Sequence, residues 1–203
     1  DWVCEIVIVD GLSTDNTVSV ARALSPKVRV VMERTRGKGA ALRRGFAAAM
    51  GDIIVAMDAD GSTRPEEIGA MVEALMAGAD FVAGSRFAST GAGSEDLTEV
   101  RKLGNRALLM LAQLFFGGNH TDLCYGFNAF WRRDLAILSL DATGFEIETQ
   151  MRVRALRLGL KMVEASCFEV RRIHGQGNLK AIPDGWRVLK TILREAWLGL
   201  QLD

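Results

Sequence analysis

Apolar runs and segments with helical periodicity alternate through the first ninety residues. Four short runs are rich in β-branched or other apolar residues: 4–10, 28–33, 52–58 and 80–86. Three segments between them repeat apolar residues at helical spacing or are rich in alanine: 13–25, 38–51 and 64–78. This β-α-β-α-β-α-β order predicts an α/β fold, with a parallel sheet covered by helices on both faces.

Two aspartates lie at the end of the third predicted strand, in "VAMDADGST". Asp58 and Asp60 are two residues apart, so in extended backbone both would point into the same crevice. The two carboxylates would repel each other unless a cation lay beside them. Carboxylate oxygens suit Mg²⁺ or Mn²⁺, with phosphates and water completing the shell. Because ligands of such sheets bind at the carboxyl ends of the strands, the pair predicts a metal–diphosphate site.

A plain helix start explains part of the same stretch. Thr63 and Glu66 fit a capping box, and a proline in the first turn fits a helix start. In the same way, Ser13 or Thr14 fits the cap of the first helix. Such a turn accounts for residues 61–67, but it does not account for an aspartate that ends an apolar run.

A glycine-rich segment, "RGKGAALRRG" at 36–45, opens the second predicted helix. It follows a strand, and Asp58 comes some way after it, as in dinucleotide-binding folds. Leu42 occupies the place of the third glycine of G-x-G-x-x-G, which argues against a dehydrogenase. The backbone amides of this segment and Lys38 remain candidates for holding a phosphate or a sugar.

Composition narrows the class of protein. The chain has 203 residues, 49% hydrophobic and 25% charged, which suits one well-cored domain. Its net charge is zero, but residues 1–99 have a balance of −5 and residues 100–203 of +5, which predicts an anionic partner other than nucleic acid. Cys4, Cys124 and Cys167 are odd in number and widely spaced, which favours a reduced, cytosolic protein. No run reaches the roughly 18–20 apolar residues of a membrane span.

Two segments of the second half combine apolar surface with positive charge. Residues 101–118 begin with basic residues and are then apolar nearly all round, which is typical of a helix that is buried or touches lipid. Residues 184–202 carry an apolar stripe with cations beside it: Trp186, Leu189, Leu193, Trp197 and Leu200, with Arg187, Lys190 and Arg194. This stripe suits an anionic membrane surface, core packing or a dimer contact.

The chain resembles glycosyltransferase family 2 in motifs that lie in order over nearly its whole length: "EIVIVDGLSTDNT", "RGKGAALRRGFAAAMGDIIVAMDADGSTRPEEI", "GADFVAGSRF", "TDLCYGFNAFWR" and "GFEIETQMRVRALRLGLKMVEA". The closest subgroup is the polyprenol-phosphate (dolichol-phosphate) mannosyltransferases and glucosyltransferases. The resemblance implies a GT-A fold, with a mostly parallel sheet flanked by helices, a nucleotide-sugar donor and a divalent metal. We expect a catalytic domain over 1–180, a C-terminal amphipathic helix over 181–203, and the family's first nucleotide-binding strand to be missing.

The resemblance also implies roles for individual residues. Asp10 would lie near the base and ribose, Asp58 would face the ribose and metal, and Asp60 would ligate the metal that bridges the diphosphate. The other roles are these: Arg86 near the transferring phosphate or sugar, Arg101 at the acceptor phosphate, Asp122 as an active-site acid, and Arg172 closing over the donor diphosphate. Without the resemblance, the three arginines also fit solvated surface charges.

The segment "GFEIETQMRVRALRLG" is predicted to be mostly helical. Phe145 and Ile147 are expected in the core. Glu146 and Glu148 are candidates for the sugar pocket, although acidic residues are common at helix starts.

The implied activity is inverting transfer of mannose or glucose from GDP-mannose or UDP-glucose to a polyprenyl phosphate. Such an acceptor needs no strong base, because a phosphate monoester with a second pKa of about 6 is substantially ionised near neutral pH. A hydroxyl acceptor would need a base, and Asp122 is the first candidate. A non-catalytic nucleotide-sugar-binding module is the third interpretation. We expect a cytoplasmic protein, peripheral at the cytoplasmic membrane face, with a homodimer as an open alternative.

Overall fold

Strands and helices alternate in the computed structural model, which describes residues 3–89, 91–172 and 178–199. The strands are β1 (Ile6–Asp10), β2 (Val28–Met32), β3 (Ile53–Ala56), β4 (Phe81–Ser85), β5 (Gly93–Ser94), β6 (Asn128–Trp131), β7 (Met162–Ser166) and β8 (Phe168–Glu169). The α-helices are α1 (Thr17–Leu24), α2 (Lys38–Ala48), α3 (Ile68–Met76), α4 (Glu99–Phe116), α5 (Leu135–Leu138), α6 (Ile147–Arg157) and α7 (Ala181–Gly199). The α/β alternation predicted for the first ninety residues is confirmed.

The central sheet has the strand order β3-β6-β4-β7. Strands β4 and β7 are parallel, as expected, but β6 runs antiparallel to both of its neighbours. The sheet was expected to be mostly parallel, and β6 is its antiparallel strand. Asn128, its first residue, pairs with Ala83 near the end of β4, so the chain enters β6 from the carboxyl edge and runs back. Strands β1 and β2 form a separate parallel pair.

Alternate residues of the central strands face two different cores. Phe81 and Ala83 of β4 pack into a cluster with residues of α2 and α6. Val82, between them, packs with Met71 and Leu75 of α3 on the other face. Because side chains alternate across a strand, a continuously apolar strand needs a cover on each side, and these helices provide it.

Helix α7 packs against the body of the protein through its inner side. Its Val188 and Ile192 join Leu109 of α4 and Val153 of α6 in a third core cluster. These buried residues are not those of the expected stripe: Trp186, Leu193 and Trp197 are exposed, so core packing is wrong for these three. Leu200 of the expected stripe lies outside the described residues. None of the described helices has the length and apolar content needed to cross a membrane.

Both expected helix caps are absent. Asn16 occupies the N-cap position of α1 without a side-chain capping bond, and the Ser13 amide instead donates to Asp10 in the turn after β1 (2.9 Å). Pro65–Glu67 forms a 3₁₀ turn with no side-chain cap, so the Thr63 capping box is wrong as well. Thr63 is buried.

A buried carboxylate joins α6 to α7. Glu195 is fully buried, and its Oε1 accepts hydrogen bonds from Arg154 (2.7 Å from Nη2), Gln150 (3.2 Å) and Arg194 (2.9 Å). Its Oε2 lies 2.9 Å from Nη1 of Arg157. Burial by itself would raise the pKa of Glu195, but the bonds to Arg154 and Arg194 hold it below its ordinary value. The carboxylate is therefore charged and neutralises the arginines around it.

We expect Glu195→Gln to lower the free energy of unfolding by about 3–5 kcal/mol, because it leaves buried guanidinium charge without its counter-ion. Urea denaturation followed by circular dichroism measures the change. Glu99→Gln is the matched control: Glu99 is 87% exposed and pairs with Lys102 at the surface, so a change within about 0.5 kcal/mol is expected. Equal urea midpoints for both variants would contradict this account of α7.

Candidate active site

A cleft of about 1120 Å³ opens where β3 and β4 end. It is lined by the start of α2, the segment after β3, Arg86 after β4, the segment 124–126, and parts of α4 and α7. Ligands of open α/β sheets bind at this edge because the loops that follow the strands surround it. The cleft brings together Lys38, Asp58, Asp60, Arg86, Arg101 and Arg172, six of the predicted site residues.

Lys38 lies between two carboxylates. Its Nζ is 2.6 Å from Asp58 Oδ1 and 2.6 Å from Glu148 Oε1, and Glu148 is buried. Burial alone would lower the pKa of Lys38, but the charges of Glu148 and Asp58 raise it above its ordinary value. Gly126 permits this arrangement, since a Cβ there would lie 2.6 Å from Nζ. The ammonium group thus neutralises the carboxylate of Asp58.

The glycine-rich start of α2 serves a structural contact. Gly37 has a φ of +129°, and a Cβ there would lie 2.1 Å from the carbonyl oxygen of Thr143. The amides of Gly39 and Ala40 donate to the carbonyls of Gly144 and Thr143, each at 3.1 Å. These two amides are therefore not free to hold a phosphate, and that part of the expectation is wrong. The amides of residues 36–38, which line the cleft, and the Lys38 side chain remain candidates.

Asp60 faces a guanidinium across the cleft. Its Oδ1 accepts from the amide (3.0 Å) and hydroxyl (2.7 Å) of Ser62, and its Oδ2 lies 3.5 Å from Arg172 Nη1. Burial would raise the pKa of Asp60, but the Ser62 bonds and the Arg172 charge hold it below its ordinary value. Arg172 is itself oriented by Asp96, whose Oδ2 accepts from Nη2 at 2.6 Å. Arg172 is therefore placed beside the predicted metal ligand rather than in open solvent. Residues 173–177, which follow it, lie outside the described part of the chain.

Arg86 is a buried and fully paired guanidinium. Its Nε and Nη2 donate to Asp122 at 2.7 and 3.1 Å, and its Nη1 donates to Glu169 at 3.2 Å. The alternative of a solvated surface charge is wrong for this residue. Burial alone would raise the pKa of Asp122, but the Arg86 charge lowers it below the ordinary value of 3.8. Asp122 is completely buried and lies behind Arg86, outside the set of described residues that line the cleft.

A second buried guanidinium, that of Arg152, binds the backbone of the segment that lines the cleft. Arg152 of α6 donates to the carbonyl oxygens of Asp122, Gly84 (2.9 Å) and Tyr125 (3.0 Å), and to the side chain of Asn128 (3.0 Å). It is 1% exposed. One side chain therefore ties the end of β4, the start of β6 and the segment between them to α6. The segment 124–126, which lines the cleft, is held in place by these bonds.

The remaining predicted residues divide between the cleft and the interior. Arg101 lies in the first turn of α4, where Thr98 accepts a hydrogen bond from its amide (3.4 Å), and its side chain lines the cleft. Asp10 is buried at the end of β1 and is outside the set of described residues that line the cleft. Ile147 is in the core as expected. Phe145 instead lines the cleft, its ring centroid 5.9 Å from Lys38 Nζ.

The carboxylates present fit a metal that receives part of its coordination from substrate. Within the described residues, no group of three or more His, Cys, Asp or Glu side chains is placed to hold an ion. Asp58 and Asp60 both line the cleft and supply only oxygen ligands. Mg²⁺ is commonly bound in this way, by one or two carboxylates together with substrate phosphates and water. The donor set therefore suits a metal–diphosphate rather than a closed structural metal site.

Sequence reasoning missed the partners that orient the site. Asp96 and Glu169 bind Arg172 and Arg86, and Arg152 supports the cleft wall, but none of the three lies in an expected site. One signal was available: an arginine placed in a buried site requires an acidic partner. The sequence does not indicate which acid, because both acids lie more than seventy residues from the arginines they bind.

Comparison with known proteins agrees with this geometry. The family model "Glycosyl transferase family 2" matches residues 3–137. Glycosyltransferase AglJ of Haloferax volcanii is 29% identical over 193 residues, which cover 94% of this chain and 62% of AglJ. The undecaprenyl-phosphate mannosyltransferase of Micrococcus luteus is 31% identical over 210 residues, covering 97% of this chain and 86% of that enzyme.

A solved structure shares the fold. Glucosyl-3-phosphoglycerate synthase from Mycobacterium tuberculosis, in complex with Mn²⁺, uridine diphosphate and glucosyl-3-phosphoglycerate, superposes with a TM-score of 0.71 at 28% identity. The match covers 95% of this chain and 68% of the synthase chain. The predicted GT-A fold is confirmed, as is the likeness to the polyprenol-phosphate mannosyltransferases. With two thirds of its residues matched by the family model, the chain belongs to glycosyl transferase family 2.

Proposed function

We propose that this protein transfers a hexose, mannose or glucose, from a nucleotide-sugar donor to a polyprenyl phosphate. The transfer is metal-dependent, inverts the anomeric carbon and takes place at the cytoplasmic face of a membrane. The Micrococcus luteus relative, named for mannose transfer to undecaprenyl phosphate, supports this acceptor class. Since the chain spans 62% of AglJ, the activity of the whole protein is part of the proposal.

The observation that carries the proposal is the two-sided character of the cleft. One part is charged, with Lys38, Asp58, Asp60 and Arg172 on its walls. The other part is apolar and is formed by or beside α4 and α7: Leu97, Val100, Leu108, Leu179, Ile182 and Val188. A nucleoside diphosphate matches the first part and a hydrocarbon chain matches the second. A soluble sugar acceptor would leave the apolar part facing water.

Arg101 is the residue that we propose to bind the acceptor phosphate. On α4 it shares one face with Gly104, Asn105 and Leu108, all of which line the cleft. A guanidinium binds phosphate oxygens in a bidentate fashion, and such charge-assisted bonds are stronger than neutral ones. In this position the phosphate is bound by Arg101 while the first part of the lipid chain contacts Leu108 and Val100.

Side chains of the cleft provide most of the charge neutralisation that the transfer needs. Arg172 faces the diphosphate end of the cleft and neutralises negative charge that builds up on the leaving nucleoside diphosphate. Lys38 keeps Asp58 and Glu148 in place by pairing with both. A divalent metal held by Asp58 and Asp60, when bound, supplies further stabilisation of the leaving diphosphate. The apolar part excludes water from the reacting centre and so protects the donor from hydrolysis.

The geometry of Asp122 favours the phosphate acceptor over a hydroxyl acceptor. A general base must reach the proton that it removes. Both oxygens of Asp122 are bound by Arg86, and the lowered pKa makes the carboxylate a weak base. A phosphate acceptor needs no such base, because it is already substantially ionised near neutral pH.

The donor and the metal are tested by nucleotide release. We expect Mn²⁺-dependent release of nucleotide from GDP-mannose or UDP-glucose, and only in the presence of a short polyprenyl phosphate. Asp60→Asn should lower the rate by about 100-fold or more, the scale of removing one charge-stabilising group. Asp52→Asn, at an exposed aspartate outside the cleft, is the control and should retain activity. Nucleotide release that does not need the lipid phosphate and is unchanged in Asp60→Asn would refute the proposal.

The role of Arg101 is tested by the kinetics of its glutamine variant. Arg101→Gln should raise the KM for the polyprenyl phosphate by roughly 10–100-fold, the value of one or two charge-assisted hydrogen bonds. The KM for the nucleotide sugar should stay within about twofold of the wild type. Arg22→Gln, at an exposed arginine of α1, serves as the control. A rise in the KM for the nucleotide sugar alone would show that Arg101 binds the donor and not the acceptor.

The variant Asp122→Asn distinguishes two roles for Asp122: counter-ion of the buried Arg86 and general base. We expect a loss of about 3–5 kcal/mol in the free energy of unfolding, because Arg86 is left buried with less counter-charge. The wild-type contribution is present above the ordinary pKa of 3.8 and is lost as pH falls through the lowered folded pKa. As the pH is lowered, the free energy of unfolding should therefore fall less in the variant than in the wild type. Urea denaturation across the acid pH range measures both proteins. Unchanged stability with a large loss of turnover would instead assign Asp122 as a base.

A further inference from the structure

Helices α4 and α7 present exposed apolar side chains outside the cleft. On α4, Leu103 is 71% exposed, Met110 58% and Leu114 76%, at a spacing that places them on one side of the helix. On α7, Trp186 is 57% exposed and Trp197 60%, with Leu193 between them. Large side chains of this kind in one region mark an interaction site rather than ordinary surface. We call these six residues the α4–α7 outer face.

The two stripes point away from a shared core. Leu109 and Ala112 of α4 are buried on the side of that helix opposite Leu103, Met110 and Leu114. On α7, Val188 and Ile192 are buried on the side opposite the tryptophans. All four buried residues belong to one core cluster with Val153 of α6. Each helix therefore turns its apolar stripe to solvent, and the two helices pack against each other.

The charges beside this face are predominantly positive. Arg106 of α4 and Lys190 of α7 are exposed on the helices that carry the stripes, and Arg187 of α7 is exposed with its guanidinium near Gly144. The ammonium group of Lys190 lies 5.6 Å from the ring centroid of Trp186. Two acids of these helices, Glu99 and Asp184, lie in the first turns, and the third, Glu195, is buried against arginines. Exposed tryptophan with neighbouring lysine and arginine matches the interface of an anionic bilayer.

We propose that the α4–α7 outer face docks on an anionic lipid bilayer. This inference rests on the proposed function and identifies the surface that delivers its acceptor. Val100 and Ile182, on the apolar part of the cleft, belong to the same two helices and are 68% and 83% exposed. A lipid phosphate therefore passes from the bilayer to Arg101 along apolar side chains, without its hydrocarbon chain crossing water.

A second copy of this chain is a poorer occupant of the face. In a two-fold dimer the same patch meets itself, so the cations beside the stripes of one copy would approach those of the other. Like charges placed opposite each other oppose association. Anionic lipid headgroups satisfy the same cations, and the acyl region accepts the leucines and tryptophans.

Vesicle co-sedimentation tests the face without using the acceptor. Vesicles of phosphatidylcholine with phosphatidylglycerol, free of polyprenyl phosphate, should bind the wild-type protein, and vesicles of phosphatidylcholine alone should bind it more weakly. The double variant Leu103→Glu, Leu114→Glu should reduce binding to the anionic vesicles by at least about 10-fold, since each change removes apolar area and adds a negative charge. Val20→Glu, Leu24→Glu on α1 makes the same chemical change at residues 57% and 70% exposed and should reduce it much less.

A second readout follows the tryptophans directly. Fluorescence emission of the wild type should shift to shorter wavelength on anionic vesicles, and Trp197→Leu should diminish the shift while it keeps the helix apolar. Circular dichroism confirms that each variant is folded. Equal binding by the two double variants, or no binding by folded wild-type protein, would overturn the inference. Loss of a wild-type dimer in the α4 variant, measured by light scattering without lipid, would assign the face to a second copy instead.

Transfer to a short polyprenyl phosphate in detergent separates this inference from the proposed function. The α4 double variant should keep its activity there and lose it when the acceptor is embedded in vesicles. Vesicle binding without any transfer in detergent would leave the docking face intact and remove the proposed acceptor. Transfer in detergent without vesicle binding would support the proposed acceptor and overturn the docking face.

Discussion

One buried guanidinium fixes the backbone that lines the cleft. Arg152 of α6 donates to three backbone carbonyls and to Asn128, and so joins the end of β4, the start of β6 and the chain between them. A buried positive charge is costly unless its donors are satisfied, and here the carbonyl oxygens satisfy them. The requirement fixes the backbone from which Asp122 binds Arg86 and from which Tyr125 and Gly126 line the cleft. The geometry of the site thus depends on a residue that does not line it.

Charge pairing within the cleft follows the same physical logic. Lys38 neutralises Asp58 and Glu148, Arg172 lies between Asp96 and Asp60, and Arg86 is held by Asp122 and Glu169. Groups that are paired and partly buried lose little freedom when a charged ligand arrives, which is the condition for electrostatic preorganisation. The apolar part, formed largely by α4 and α7, lowers the local polarity and strengthens these interactions. The combination favours a substrate that carries both phosphate and hydrocarbon.

Much of the fold could be predicted because its signals are local. The strands of the first ninety residues are short apolar runs and the helices between them are periodic or alanine-rich, so their order was evident without tertiary information. The direction of β6 was not, because it depends on which edge of the sheet the chain reaches after α4. The predicted caps at Ser13 and Thr63 are also absent: the Ser13 amide donates to Asp10, and Thr63 is buried. At α7, the sequence pattern identified the stripe but could not assign its two sides.

The sequence by itself determined the α/β alternation, the aspartate pair after β3 and, through its motifs, the family. These features reside in residue order and spacing, which survive without coordinates. Only the tertiary structure decided that Arg86 is buried against Asp122, that the amides at the start of α2 are occupied by the 142–144 loop, and that Phe145 lines the cleft. It also decided that α4 and α7 share an inner core cluster and that each exposes an apolar stripe on its other side. The physical reason is that pairing and burial depend on contacts between residues far apart in the chain, and no local pattern records which distant residue will be the neighbour.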